Sequence, residues 1–298
     1  MFIASLYRPH CGTKVIIARL RVIAVALMLF AGTACDASAQ PSFSPEAADA
    51  LPTGDGRTYL DLIQFVMPGI AVSGNTYSEG RQPTGIRRLE GGVDGDIGLA
   101  PSGSLGLQAV PLRSGGRERL ALLIDFGMTE YTAGYALLAL FDIEGEPRLL
   151  DAADVARDRW TSFMDPVRLS IGASDDLLLT QSTHHNSSQS YLSASLILVR
   201  NDRFELVDTI SLLSDRAYGF ERTQELTIEQ GAGEPFADIV ARVTETTILT
   251  MENQGGETLP EPGNNTITVT YRWDRAAQRY APDSDALKKL ARENEDRF

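Results

Sequence analysis

Few residues of this chain are equipped for acid–base or ligating chemistry, and they cluster. Two of its three histidines, His184 and His185, are adjacent in the stretch Thr183-His184-His185-Asn186-Ser187-Ser188-Gln189. Imidazole takes and gives a proton near neutral pH and is a common metal ligand. Neighbouring side chains on extended backbone point to opposite faces, however, so this pair does not chelate one ion by itself. No H-E-x-x-H is present, and Asp94-Gly95-Asp96 lacks the further ligands of an EF-hand loop. No metal and no cofactor is therefore expected. Ser182 and Ser187 lie near His184 in sequence, but no G-x-S-x-G elbow accompanies them. No glycine-rich phosphate loop leads into a helix.

A wider set of polar residues comes from comparing two segments. Ala121–Gly145 and Leu177–Asn201 align without a gap at an offset of 56 residues, placing Tyr135 on Tyr191 and Gly145 on Asn201. Each reads as apolar strand, polar loop, apolar strand and tight turn. If the units superpose, the loops 125–134 and 181–190 leave one side of a sheet together. Asp125, Glu130, Tyr131, His184, His185, Asn186 and Gln189 then line a shared rim. Loops converging on a rigid β scaffold are frequent ligand sites, and these groups suit a carbohydrate or another small polar ligand. They also include candidates for an acid/base pair. The plainer reading is that they are ordinary polar residues bridging strands.

The elements that must position these groups are mostly strands. Alternating or β-branched runs such as Phe220–Ile228, Ala237–Leu249 and Thr266–Trp273 predict an all-β chain of about ten strands. Segments near 119–151, 175–210 and 237–281 follow one plan, and a period near fifty residues predicts a propeller-like or stacked antiparallel β-meander array. A two-sheet β-sandwich is the alternative. The plan of strand, polar loop, strand and Asp-containing turn is similar to FG-GAP and VCBS-type propeller repeats. Their D-x-D-x-D-G calcium loop is missing from every one of these loops. One amphipathic helix is expected over Thr58–Met67, where Tyr59, Leu62, Ile63 and Val66 recur at helical spacing behind Thr58-x-x-Asp61. Residues 40–56 read as a flexible leader, 57–282 as a single β-rich domain, and 283–298 as a charged helix.

The N-terminus carries an address. Residues 1–21 hold Arg8, Lys14, Arg19 and Arg21 with no acidic residue, Val22–Ala34 is apolar or small throughout, and Ala37-Ser38-Ala39 follows. This pattern predicts a secretory signal peptide over 1–39 and a periplasmic or secreted product. The alternative is a lipoprotein anchored at Cys35, although the place three residues earlier is Gly32 where a lipobox has Leu or a similar apolar residue. Cys11 and Cys35 are the only cysteines, so cleavage after Ala39 leaves a product with none. The remaining chain holds 23 basic against 39 acidic residues, a net −16. Such a charge disfavours nucleic acid and anionic lipid as partners. No later apolar run reaches the ~20 residues that a transmembrane helix needs. The sequence thus points to an exported, non-catalytic binding or interaction protein for a polar ligand or an envelope protein. A cell-envelope hydrolase acting on a polar or glycan substrate is the alternative.

Overall fold

Long apolar runs at Leu120–Ile124 and Tyr135–Phe141 decide the architecture, because they bury both faces of one sheet. The structure is a computed structural model that describes residues 42–78, 86–91, 99–129, 133–250 and 259–297, all within one compact unit. In chain order it contains α1 (Tyr59–Val66), β1 (Ala71–Ser73), β2 (Thr76–Ser78), β3 (Arg87–Arg88), β4 (Ser102–Ser104), β5 (Gly106–Ser114), β6 (Arg117–Met128), β7 (Gly134–Asp142) and β8 (Arg148–Asp154). There follow β9 (Trp160–Ser170), β10 (Asp176–His185), β11 (Gln189–Arg200), β12 (Arg203–Ala217), β13 (Phe220–Gln230), β14 (Ile239–Leu249), β15 (Gly263–Asp274), β16 (Arg279–Pro282) and α2 (Ala286–Asp296).

The strands form a three-stranded sheet β1-β2-β4, a five-stranded sheet β3-β8-β7-β6-β5 and an eight-stranded sheet running in sequence order from β16 to β9. Pairing is antiparallel except between β3 and β8. The chain is thus mostly β and built of antiparallel meanders, as its alternating runs predict. The segments 119–151, 175–210 and 237–281 each run through three consecutive strands. They do not form separate blades: β9 to β16 are one continuous sheet, and the described residues form no closed barrel and no propeller. A meander period alone does not say where a sheet is cut. That is decided by whether the next hairpin pairs with the last one, as β13 does with β12 at Asp215–Ala217.

Side-chain alternation along β6 sends Leu120, Leu122, Ile124 and Phe126 to one face and Ala121 and Leu123 to the other. The first face packs under α1, whose buried stripe is Tyr59, Leu62, Ile63 and Val66. The helix start is held by Asp61, whose carboxylate accepts the Thr58 N–H at 2.7 Å. The second face meets the eight-stranded sheet through Leu178, Ile197, Val199 and Phe204. Both faces being covered explains why these strands read as unbroken apolar runs. Residues 42–56, read from composition as a flexible leader, instead pack on this sheet: Phe43 pairs with Ala109, and Ala47 and Leu51 join the core. Three anchors suffice for a segment without apolar period.

Polar latches lock the two larger sheets together. Asp176, fully buried, accepts the Arg113 N–H at 2.9 Å and Arg168 Nη1 at 3.0 Å, and Arg168 also donates to the Pro111 carbonyl. Arg119, also buried, grips Asp202 at 2.9 and 3.1 Å. The other face of the eight-stranded sheet curls over a second core, and the Ala237 N–H meets the Ile171 carbonyl at the end of β9. Beyond their short pairing, β12 and β13 part, and α2 sits against β12 with Leu287, Leu290 and Asn294 buried. Asn294 donates to the Ser211 carbonyl and to Gln224 Oε1, replacing ladder bonds that β13 does not supply. No helix among the described residues is long and apolar enough to cross a membrane.

Candidate functional site

Asp125 sits where the layer between the two large sheets opens to solvent. It lies two residues beyond Leu123 on the same face of β6, and there the apolar alternation ends in a carboxylate. The strand register shifts between Asp125 and Met128, and Gly127 adopts a φ of 67° that L side chains rarely take. This turn brings the Gly127 N–H to Asp125 Oδ1 at 3.0 Å. From the facing sheet, the Thr161 N–H of β9 donates to Oδ2 at 3.3 Å. Burial pushes the Asp125 carboxyl up, while the two N–H donors pull it the other way. No cation comes within salt-bridge range of it among the described residues, in contrast to Asp142, Asp151 and Asp176.

A cavity of about 670 Å³ opens beside this carboxylate. One wall is the β5 segment Leu105–Gln108, a second is Thr161 and Ser162 of β9, and Ser44–Ala47 with Gly74 and Asn75 complete it. Two strand edges therefore face each other across the opening. Gln108 bridges them at depth, its Oε1 accepting the Phe163 N–H at 2.8 Å. The size falls in the range of small-molecule sites, roughly 300–1,000 Å³, and the lining mixes apolar residues such as Leu105, Leu107 and Leu123 with polar ones such as Glu46, Asn75, Gln108 and Asp125.

The histidines lie elsewhere, and they are strand residues, not loop residues as polarity suggests. β10 continues to His185 and β11 begins at Gln189, so the expected ten-residue loop shrinks to Asn186–Ser188. Ladder pairing such as Thr183 with Leu192 and His184 with Tyr191 outweighs the polar composition. The two rings point apart, as adjacent strand residues must. His184 Nδ1 hydrogen-bonds Asp158 Oδ2, and its ring stacks on Tyr191 at 4.2 Å. His185 is exposed, with Nδ1 2.9 Å from Ser190 Oγ. Asn186 closes the hairpin, its Oδ1 accepting the N–H groups of Ser188 and Gln189. Gln189 Oε1 accepts from Asn186 Nδ2 and the Tyr191 hydroxyl.

The rim inferred from the aligned segments is thus divided. Asp125 and His184 both touch the stretch 158–161, through Thr161 and Asp158 respectively. Asp125 lines the large cavity, whereas Asn186 and Gln189 border a separate one of about 170 Å³ with Asp215 and Arg216. Glu130 and Tyr131 lie outside the described residues, as does Asp94-Gly95-Asp96. Ser182 Oγ is engaged by Thr161 Oγ1 at 2.9 Å and by the Arg157 N–H at 3.0 Å. No group of three or more His, Cys, Asp or Glu side chains is placed to hold a metal ion among the described residues.

Sequence reasoning missed Gln108, Thr161, Ser162 and the 44–47 wall. One signal was present: Gln108 is the polar interruption in Leu105–Leu112, at a position alternation sends inward with Val110 and Leu112. The other wall residues carry no motif, because folding alone brings β9 and residues 44–47 to β5. No protein-family model, no curated protein and no solved structure matches this chain.

Proposed function

We propose that the chain is an exported, non-catalytic binding protein that holds a small polar, cationic ligand against Asp125. One observation carries this reading: a carboxylate without a cationic partner among the described residues lies at the wall of a cavity of about 670 Å³. A half-buried carboxylate held only by two N–H donors still gains from a counter-charge, and a ligand cation supplies it. The chain's formal charge of −13 favours cations over anions as visitors. Export rests on the basic, apolar and Ala37-Ser38-Ala39 pattern of the first 39 residues. Mass spectrometry of the N-terminus after expression in a bacterial host tests it: the product begins at Gln40, and a lipid-modified Cys35 refutes soluble export.

The binding reading is tested by thermal shift and calorimetry with primary amines, guanidines, amino acids and amino sugars, alongside anionic counterparts. A cation at 100 times its dissociation constant adds ~2.7 kcal/mol of stability. Asp125→Asn abolishes the shift. Absence of any cation-dependent shift, or equal binding by the variant, refutes the reading. A hydrolase would have to draw on the Asp158–His184 pair, yet the nearby Ser182 hydroxyl is held by Thr161 and the Arg157 N–H. Binding is therefore the better supported function.

A further inference from the structure

The outer edge of β5 is occupied at every second residue except one. The Ala109 N–H and carbonyl both pair with Phe43, at 2.8 and 3.1 Å, so the main-chain groups of residue 109 point away from β6. The β5–β6 register is unbroken from Gly106 to Ser114, and strand alternation therefore sends the groups of 105, 107, 111 and 113 to that same outer side. Leu105 N–H donates to the Asn75 carbonyl, the Pro111 carbonyl accepts from Arg168, and the Arg113 N–H donates to Asp176. Leu107 alone in this series has no partner for its N–H and carbonyl among the described residues, and it lines the large cavity.

The vacancy has a cause in the sequence. Antiparallel pairing of Phe43 with Ala109 would, if continued, set residue 45 opposite residue 107. Residue 45 is proline, which has no N–H to give, and the chain turns away there to become the cavity wall. An open donor–acceptor pair on a strand edge is what an extended peptide uses when it adds as a further strand. Gly106, adjacent to Leu107, is the Cα partner of Asp125, so the open pair and the carboxylate lie within about one residue of each other.

We infer that the ligand is an extended peptide carrying a basic side chain: the carbonyl and N–H of one of its residues pair with the Leu107 N–H and carbonyl, as Phe43 does with Ala109, and its cation meets Asp125. This inference rests on the cavity reading proposed above and adds the chemical class of the ligand. Extension by a single paired residue suits a short segment, because Phe43 and Asn75 block the edge on either side.

The test uses acetyl-Ala-Lys-Ala-amide as probe, with butylamine as a cation lacking the peptide. A second series replaces each internal amide N–H of the probe, one at a time, by an ester oxygen. Calorimetry on the full chain is expected to show the peptide binding more tightly than butylamine, with one ester position binding about tenfold more weakly than the rest. On the protein side, Leu107→Pro removes the outward N–H at an edge position where proline is tolerated, and weakens the peptide by a similar factor, more than it weakens butylamine. The inference is overturned if every ester analogue binds within about twofold of the parent, or if butylamine binds as well as the peptide. In that last case an Asp125→Asn effect on butylamine leaves the proposed function standing. If neither probe binds, both readings fall. The ester series needs no variant and decides the matter even if Leu107→Pro does not fold.

Discussion

Replacing Asp176 by asparagine should be among the most damaging near-isosteric changes in this chain. The carboxylate is fully buried between the sheets and holds three donors: the Arg113 N–H at 2.9 Å, Arg168 Nη1 at 3.0 Å and Arg113 Nη2 at 3.4 Å. Removing one partner of a buried ion pair costs about 3–5 kcal/mol, because the other charge is left uncompensated. Two features reduce that figure here. The Arg113 side chain is 35% exposed and can rehydrate, and Arg168 keeps its bond to the Pro111 carbonyl. The asparagine oxygen can also retain the Arg113 N–H. The expected loss is therefore about 2–3 kcal/mol, or roughly 4–12 °C in Tm for a domain of this size. Urea unfolding followed by the fluorescence of Trp160 and Trp273, both in the eight-stranded sheet, measures it. Arg168→Met alone and combined with Asp176→Asn completes a cycle, in which the double variant should lose at least ~1 kcal/mol less than the sum. A loss below ~0.5 kcal/mol, or strict additivity, would show that the latch does not hold the sheets and that apolar packing alone suffices.

Asp125 has its carboxyl raised by burial, so its favourable contribution is present below the unfolded value near 3.9 and lost as pH rises through the folded value. Unfolding at acid and neutral pH should show wild type losing stability relative to Asp125→Asn on the way up; parallel profiles refute the assignment. Cation binding should run the opposite way, weakening as acid protonates the carboxylate, which calorimetry across pH checks. Burial, then the charge and hydrogen bond of Asp208, pushes the Tyr271 phenol far up, so its stabilising contribution is full below about 10 and falls as pH rises beyond it. Tyr271→Phe should cost about 1–2 kcal/mol at neutral pH and flatten alkaline unfolding, read by tyrosinate absorbance; an unchanged alkaline limb counts against it. Asn294→Ala leaves Gln224 and the Ser211 carbonyl short of partners under α2 and should cost about 1–3 kcal/mol in urea unfolding; a neutral result would mean that water replaces the amide.

Local pattern was enough for part of this protein. The spacing of Tyr59, Leu62, Ile63 and Val66 behind Thr58 and Asp61 marks α1, because a buried stripe and a start signal are both properties of neighbouring residues. The unbroken runs around Leu120–Ile124 and Tyr135–Phe141 mark strands covered on both faces, and the alternation in Thr266–Trp273 marks one buried on a single face. Adjacent histidines turning to opposite sides follows from strand geometry alone. Asp125 could be singled out as the carboxylate ending an apolar run.

Tertiary structure decided the rest, and the reason is range. Whether β13 joins β12 or starts a new blade depends on pairing between hairpins, which period does not encode. Polarity around His184 suggested a loop because composition reports solvent preference, whereas the ladder from Asp176 to His185 is held by main-chain bonds common to all residues. The cavity is assembled from residues 44–47, 74–75, 105–108 and 161–162, which are far apart in sequence and meet only in the folded chain. Its hydrogen-bonding pair at Leu107, open among the described residues, follows from a proline sixty-two positions earlier, where the strand pairing begun by Phe43 stops. Sequence supplies the proline and the carboxylate; only the fold makes them neighbours.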